Sequence, residues 1–172
     1  MKRLLAGSLL LCLTACVSSP TLETRELGGT PNVHALDTVW LAGQPSQSDF
    51  GQAKAAGIKT VINLRQAGEF TAFDEEQVVT SLGLQYIALP WRGPNELTDE
   101  VFDRTRELLR SVEQPVLLHC GSANRVGAVW LPWRVLDGGL TFEEALEEAH
   151  TVGLRTEAYE AKARDYVERQ SR

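Results

Sequence analysis

One cysteine and one arginine, four small or polar residues apart, carry the chemistry available to this sequence. Cys120-Gly121-Ser122-Ala123-Asn124-Arg125 follows an apolar run, Pro115-Val116-Leu117-Leu118, and then His119. It leads into Val126-Gly127-Ala128-Val129-Trp130-Leu131. The order reads strand, tight polar loop, helix. Backbone N–H groups of such a loop point inward and the helix start adds positive potential, so the stretch forms an anion cradle. A helix N-terminus beside a cation is also a setting in which a cysteine ionises near neutral pH. Arg125 offers a planar fork of donors for two phosphate oxygens. A sulfur nucleophile, a cradle and a clamp suit phosphoryl transfer to sulfur, a reaction governed by positioning and charge stabilisation.

The elements that must position this loop are legible around it. Residues 38–41 predict a first strand, and Ser46 or Ser48 caps a short helix through Ala56. Residues 58–64 form an apolar, β-branched second strand, 73–82 a helix and 84–89 a third strand. Thr98 caps a helix whose stripe is Val101, Phe102, Thr105, Leu108, Leu109 and Val112. Residues 116–119 are the strand before the cradle, and the helix after it contains Pro132, which predicts a kink. Thr141 and Glu144 make a capping box for a helix to about His150, and 158–168 are the last helix. Alternating strands and helices predict an α/β fold, with a mainly parallel central sheet flanked by helices on both faces. Ligands in such sheets bind at the carboxyl ends of strands. Four loops then converge: 43–46, 65–69, 91–96 and the cradle.

His119-Cys120 followed by Arg125 resembles the signature loop of cysteine-dependent protein tyrosine phosphatases, which place five residues between Cys and Arg. The four-residue version is similar to a bacterial branch, the beta-lactamase-hydrolase-like phosphatase family. Ala42-Gly43-Gln44-Pro45-Ser46 and Thr60-Val61-Ile62-Asn63-Leu64-Arg65 resemble that branch too, and the likeness spans roughly residues 32–137. The resemblance implies a tyrosine/dual-specificity-phosphatase-like fold and phosphoric monoester hydrolysis. Cys120 would carry a phosphocysteine, and Arg125 and the N–H groups of Gly121, Ser122, Ala123 and Asn124 would hold the phosphate. Many tyrosine phosphatases place Ser or Thr directly after the arginine to assist thiolate departure. That position here is Val126, and the Ser122 hydroxyl is the available substitute.

Composition narrows the partners. Lys2 and Arg3 precede an apolar run over residues 4–13, a secretory signal too short for an ordinary membrane span. Leu13-Thr14-Ala15-Cys16 resembles a bacterial lipoprotein box. This implies cleavage of residues 1–15, lipidation of Cys16, and a periplasmic protein anchored in the membrane. Val17 after the cysteine points to the outer membrane. Residues 16–31 read as a tether and 32–172 as the phosphatase-like domain. Of 17 basic side chains, loss of Lys2 and Arg3 leaves 15 against 23 acidic ones, a net charge of −8. That argues against a nucleic-acid partner. The third cysteine, Cys12, leaves with the signal, so no disulfide partner remains for Cys120. No cofactor is called for. His34 and His150 read as surface residues, without ligand-like spacing and hence without a metal site.

Several roles stay open. His119 either tunes the thiol or is a satisfied core histidine. Arg65 either binds substrate or pairs with Glu69. Tyrosine phosphatases protonate the leaving oxygen with an aspartic acid from a mobile loop. The equivalent stretch here has no Asp after Pro90-Trp91, which makes Glu96 the preferred acid. Asp99 and Glu100 also suit a helix's first turn. Gly121 and Asn124 suit left-handed or otherwise strained backbone positions in the loop, and Gly127 suits close approach of the helix to the strand. The substrate would be a phosphorylated small molecule, lipid or protein. Two rival functions remain: a non-catalytic phosphate-binding module and a rhodanese-like sulfur transferase.

Overall fold

The structure, a computed structural model, describes residues 21–172. The expected signal segment and Cys16 lie outside those residues. Six strands form one mixed sheet in the order β1-β2-β3-β6-β4-β5. These are β1 Glu23–Thr24, β2 His34–Leu36, β3 Val39–Ala42, β4 Thr60–Asn63, β5 Gln85–Ala88 and β6 Val116–His119. The pairs β3–β6, β6–β4 and β4–β5 are parallel, and β1–β2 and β2–β3 are antiparallel. The helices are α1 Gln47–Ala55, α2 Glu75–Ser81, α3 Asp99–Ser111, α4 Asn124–Leu136, α5 Phe142–Val152 and α6 Glu157–Gln170.

Strand alternation divides the core into two layers. Ala42, Val61 and Leu117 face α1 and α2, where Phe50, Ala53 and Val79 pack on them. Leu41, Ile62 and Leu118 face the other way, onto α3 to α6. Each fully buried Leu or Ile of these rows contributes about 1.5–3 kcal/mol by leaving water. The apolar stripe of α3 buries Phe102, Thr105, Leu108 and Leu109 as its spacing requires. Ser46 and Thr141 cap α1 and α5 with complete capping boxes. Thr98 stands at the N-cap of α3 but its hydroxyl makes no cap bond. The α4 helix runs on through Pro132.

Two expectations are corrected. The described part of the tether, residues 21–31, is packed on the domain. β1 pairs with β2, Leu27 is buried, and the Asp49 carboxylate accepts from Gly29 N and Thr30 Oγ1 at 3.3 and 2.9 Å. Strand pairing, one buried leucine and one carboxylate together hold a stretch that has no periodicity to announce it. His34 is also buried, in β2, whereas His150 is exposed.

Gly127 does mark a close approach, but to the end of α5 and not to a strand. A Cβ there would lie 2.7 Å from Ala149 O and 2.8 Å from Leu154 N. Both are backbone atoms that cannot swing aside, so Gly127→Ala should destabilise the fold by about 1–3 kcal/mol through overpacking. Urea denaturation of the two proteins checks this, and an unchanged midpoint would count against the packing.

Candidate active site

The cradle forms where β6 ends. His119 faces the α1/α2 layer, its ring edge-on to Phe50. Cys120, one residue on, therefore faces the opposite side. There it packs on the larger core cluster and lines a cavity of about 220 Å³. Gly121, Ser122, Asn124, Arg125, Glu69, Arg92 and Tyr159 complete the wall.

The loop's carbonyls are turned outward and tied. Gly121 O accepts from Gln44 N at 3.2 Å and Ser122 O from Asn32 Nδ2 at 3.2 Å. The N–H groups of Gly121, Ser122, Asn124 and Arg125 have no backbone acceptor among the described residues. The N-terminus of α4 also lacks a side-chain cap, which leaves its first N–H groups and the positive end of the helix for an anion. The left-handed residue of the turn is Ala123, at φ 62°, and not Gly121 or Asn124 as expected. Such a conformation costs an alanine about 1–2 kcal/mol, and the fully buried methyl holds it there.

Arg125 is fixed along one edge. Its Nη1 donates to Leu64 O, Glu69 Oε1 and Trp91 O at 3.1, 2.8 and 2.9 Å, and its Nη2 to Glu69 Oε2 at 2.6 Å. A guanidinium has five N–H groups. This set uses both on Nη1 and one on Nη2, leaving Nε–H and one Nη2–H for a ligand. Burial lowers the Arg125 pKa, but Glu69 and the neighbouring Cys120 sulfur raise it further, so it ends above the ordinary arginine value. The hydrogen bond from Arg125 outweighs burial at Glu69, holding that carboxyl below its ordinary range.

Strand parity also decides Arg65. Val61, Asn63 and Arg65 share the α1/α2 side, away from the cradle. Arg65 neither lines the cavity nor pairs with Glu69. Its Nη2 meets Glu75 Oε2 at 2.6 Å in a buried ion pair. Gln44 Nε2 donates to the same oxygen at 2.8 Å. His119 Nε2 stands 3.0 Å from Glu75 Oε1, poorly angled for a hydrogen bond, so neither atom has a well-directed partner. His119 and Arg65 thus brace the strand ends from behind, on the α1/α2 side, and neither lines the cavity. Glu75 went unnoticed because an acid in a helix's first turn reads equally well as a solvated one.

Glu96 does not line the cavity either. Its Oε2 accepts from Arg92 N and Gln66 Nε2, both at 2.7 Å, and so shapes the 91–96 loop. Ser122 Oγ and Asn124 Oδ1 are held instead by Arg155, through Nη2 at 2.6 Å and its backbone N–H at 2.8 Å. Asn124 Nδ2 donates to Thr156 Oγ1 at 2.8 Å. Four loops converge as topology requires. The α5–α6 connection is a fifth, unforeseen because no strand precedes it. Among the described residues no metal-binding cluster of His, Cys, Asp or Glu occurs.

Residues 35–134, more than half of the chain, match the family described as beta-lactamase hydrolase-like protein, phosphatase-like domain. The chain belongs to that family. The beta-lactamase hydrolase-like protein of Agrobacterium fabrum is 28% identical over 143 residues, covering 81% of this chain and 32% of the relative. A Xylella fastidiosa protein of the same description is 30% identical over 116 residues, 64% of this chain and 27% of the relative. The chain therefore spans about a third of the length of these curated relatives. Among solved structures, P. aeruginosa TpbA superposes with a TM-score of 0.72 at 17% identity, over 91% of this chain and 99% of TpbA. A putative phosphatase from Shewanella putrefaciens gives 0.69 at 21%, over 83% and 95%. Tk-PTP gives 0.62 at 20%, over 77% and 92%. The phosphatase-like domain shares the α/β fold of these proteins, mainly parallel strands included.

The bracing carboxylate behind the cradle can be tested by acid. Burial raises the Glu75 pKa, yet the His119 ring beside it, the hydrogen bond from Gln44 and the charge of Arg65 leave it below the ordinary 4.5. A carboxyl depressed in the folded state stabilises it at neutral pH, and that stabilisation is lost as pH falls through the folded value. Glu75→Gln should cost about 3–5 kcal/mol at pH 7 by leaving Arg65 buried and unpaired. Between pH 5 and 3 it should lose less further stability than the parent, as read by urea midpoints. Parallel pH profiles would exclude Glu75 as a source of the acid sensitivity.

Proposed function

We propose that this phosphatase-like domain hydrolyses phosphoric monoesters through Cys120. The observation that carries the reading is the free edge of Arg125, Nε–H and one Nη2–H, in the same small cavity as Cys120 and the unpaired loop N–H groups. In this reading the sulfur attacks phosphorus, and the bond to the leaving oxygen breaks as the S–P bond forms. The N–H groups of Gly121, Ser122, Asn124 and Arg125 hold the equatorial oxygens with the guanidinium. Water then cleaves the phosphocysteine and phosphate departs. TpbA has been solved in complex with pTyr. For this chain the proposed substrate is a phosphorylated small molecule, lipid or protein.

The test is release of p-nitrophenol from its phosphate ester by the purified protein. Cys120→Ser should abolish turnover. Arg125→Ala should lower kcat by about 10²–10³, the range for loss of an oxyanion donor. Equal rates in all three proteins would overturn the reading. A second reading, an anion-binding module without turnover, is favoured by one observation. Glu69, the carboxylate in the cavity wall, is committed to Arg125, and Glu96 is engaged elsewhere. Tight phosphate binding by a parent that releases no nitrophenol would select it.

The lipoprotein-like segment supports a further proposal, a periplasmic domain lipid-anchored to the outer membrane through Cys16. Cys16→Ala should abolish palmitate labelling and move the protein from the membrane fraction to the soluble one. Continued labelling would exclude Cys16 as the anchor.

A further inference from the structure

The described residues include twelve arginines. Nine of them, Arg125 included, form ion pairs with carboxylates. The three that do not are Arg92, Arg155 and the terminal Arg172. In a chain with 23 acidic side chains, an unpaired guanidinium is the exception, and two of the three flank one cavity. Arg92 is exposed and lines the cavity with Cys120 and Arg125. Only its backbone N–H is engaged, by Glu96. Arg155 is exposed and fastened at the rim. Asn124 holds its N–H, and its guanidinium rests on Ser122 Oγ and, at 3.4 Å, on Gly153 O. These oxygens are neutral, so the charge stays uncompensated.

The cavity, at about 220 Å³, falls below the roughly 300–1,000 Å³ of drug-sized ligand sites, and the Cys120 in its wall is buried. The rest of a substrate held there would extend past the wall toward these two cations, Arg92 in the wall itself and Arg155 bonded to the wall residues Ser122 and Asn124. No carboxyl of the cavity wall is free to protonate a leaving oxygen there, since Glu69 is bound to Arg125. The mouth is built to receive negative charge, not to neutralise it with a proton. Guanidinium pairs favour phosphate through bidentate, charge-assisted bonds.

We infer that the substrate bears a second phosphate on its leaving side, held at the cavity mouth by Arg92 and Arg155. This rests on the proposed phosphatase reading for its catalytic half. The second phosphate is joined to the first either directly, as an anhydride, or through a short spacer, and the two cases separate by experiment.

Phosphate release by the full chain is measured with phenyl phosphate, pyrophosphate and 1,2-ethanediol bisphosphate. The parent should show kcat/KM at least tenfold higher for one of the two-phosphate substrates, and which one identifies the linkage. Arg92→Gln and Arg155→Gln should each reduce that preference severalfold, and added salt should erode it. Gln at 155 keeps a donor for Ser122, so a merely structural role would lower all three substrates by one factor. That result, or a parent with no preference, overturns the inference. Calorimetry on Cys120→Ser supplies an arm independent of turnover. Pyrophosphate or the bisphosphate should bind at least tenfold tighter than inorganic phosphate, with the margin lost in the arginine variants. If no substrate turns over yet this margin is present, the phosphatase reading fails and the anion subsite stands. Equal binding of all three anions sinks the subsite.

Discussion

Everything at the candidate site depends on how one guanidinium spends its five hydrogens. Leu64 O, Trp91 O and the Glu69 carboxylate take three from Arg125. They do so from three directions contributed by two loops. The planar group cannot turn without breaking several charge-assisted bonds at once. What is left faces the cavity by elimination. An arginine held this way loses little further side-chain entropy when an anion arrives, which is the physical content of a preorganised clamp. The same arrangement explains why a carboxylate belongs in an anion site. Glu69 sits on the far edge of the fork, where it orients the cation.

The sheet organises the site through a period of two. At the carboxyl ends of β4 and β6, consecutive residues point to opposite layers, so chemistry and support are interleaved along the chain. Cys120 and the Leu64 carbonyl serve the cradle. His119, Asn63 and Arg65 go to the rear, where Glu75 meets His119 and Arg65, Gln44 donates to Glu75, and Asn63 accepts from Arg65. A buried ion pair gains little net stability when its desolvation is counted. Its value here is geometric, since it ties α2 and the 43–46 loop to the two strands whose ends carry the cradle.

Much of this was legible in the residues. The strand–loop–helix order around Cys120 gives the cradle, the apolar stripe gives α3, and Thr141 with Glu144 gives the start of α5. The parity of β4 is in the sequence too, but the reading of Arg65 as a substrate binder or a Glu69 partner does not apply it. Asn63 and Arg65 alternate with Ile62 and Leu64, and that alone places Arg65 opposite Cys120. What could not be read is contact between distant polar groups. Glu69 and Glu75 are both acids in a stretch rich in them, and nothing local says that one meets Arg125 and the other Arg65. Ala123 shows a similar gap. Left-handed backbone is expected at Gly or Asn, and only tertiary packing against the α5–α6 connection places it on an alanine. The two short antiparallel strands at the sheet edge, β1 and β2, lack any periodicity long enough to detect.

The family-model match runs to residue 134, and the cradle is latched from beyond it by Thr156 and Arg155, on the segment that joins the last two helices. Of the two cations proposed to receive the rest of the substrate, Arg92 therefore lies in the same stretch as the reacting groups and Arg155 comes from outside it. Exchange of that segment would change one receiving cation together with the bonds that hold Ser122 and Asn124 of the cradle. Architecture of this kind couples selectivity to the shape of the reacting loop.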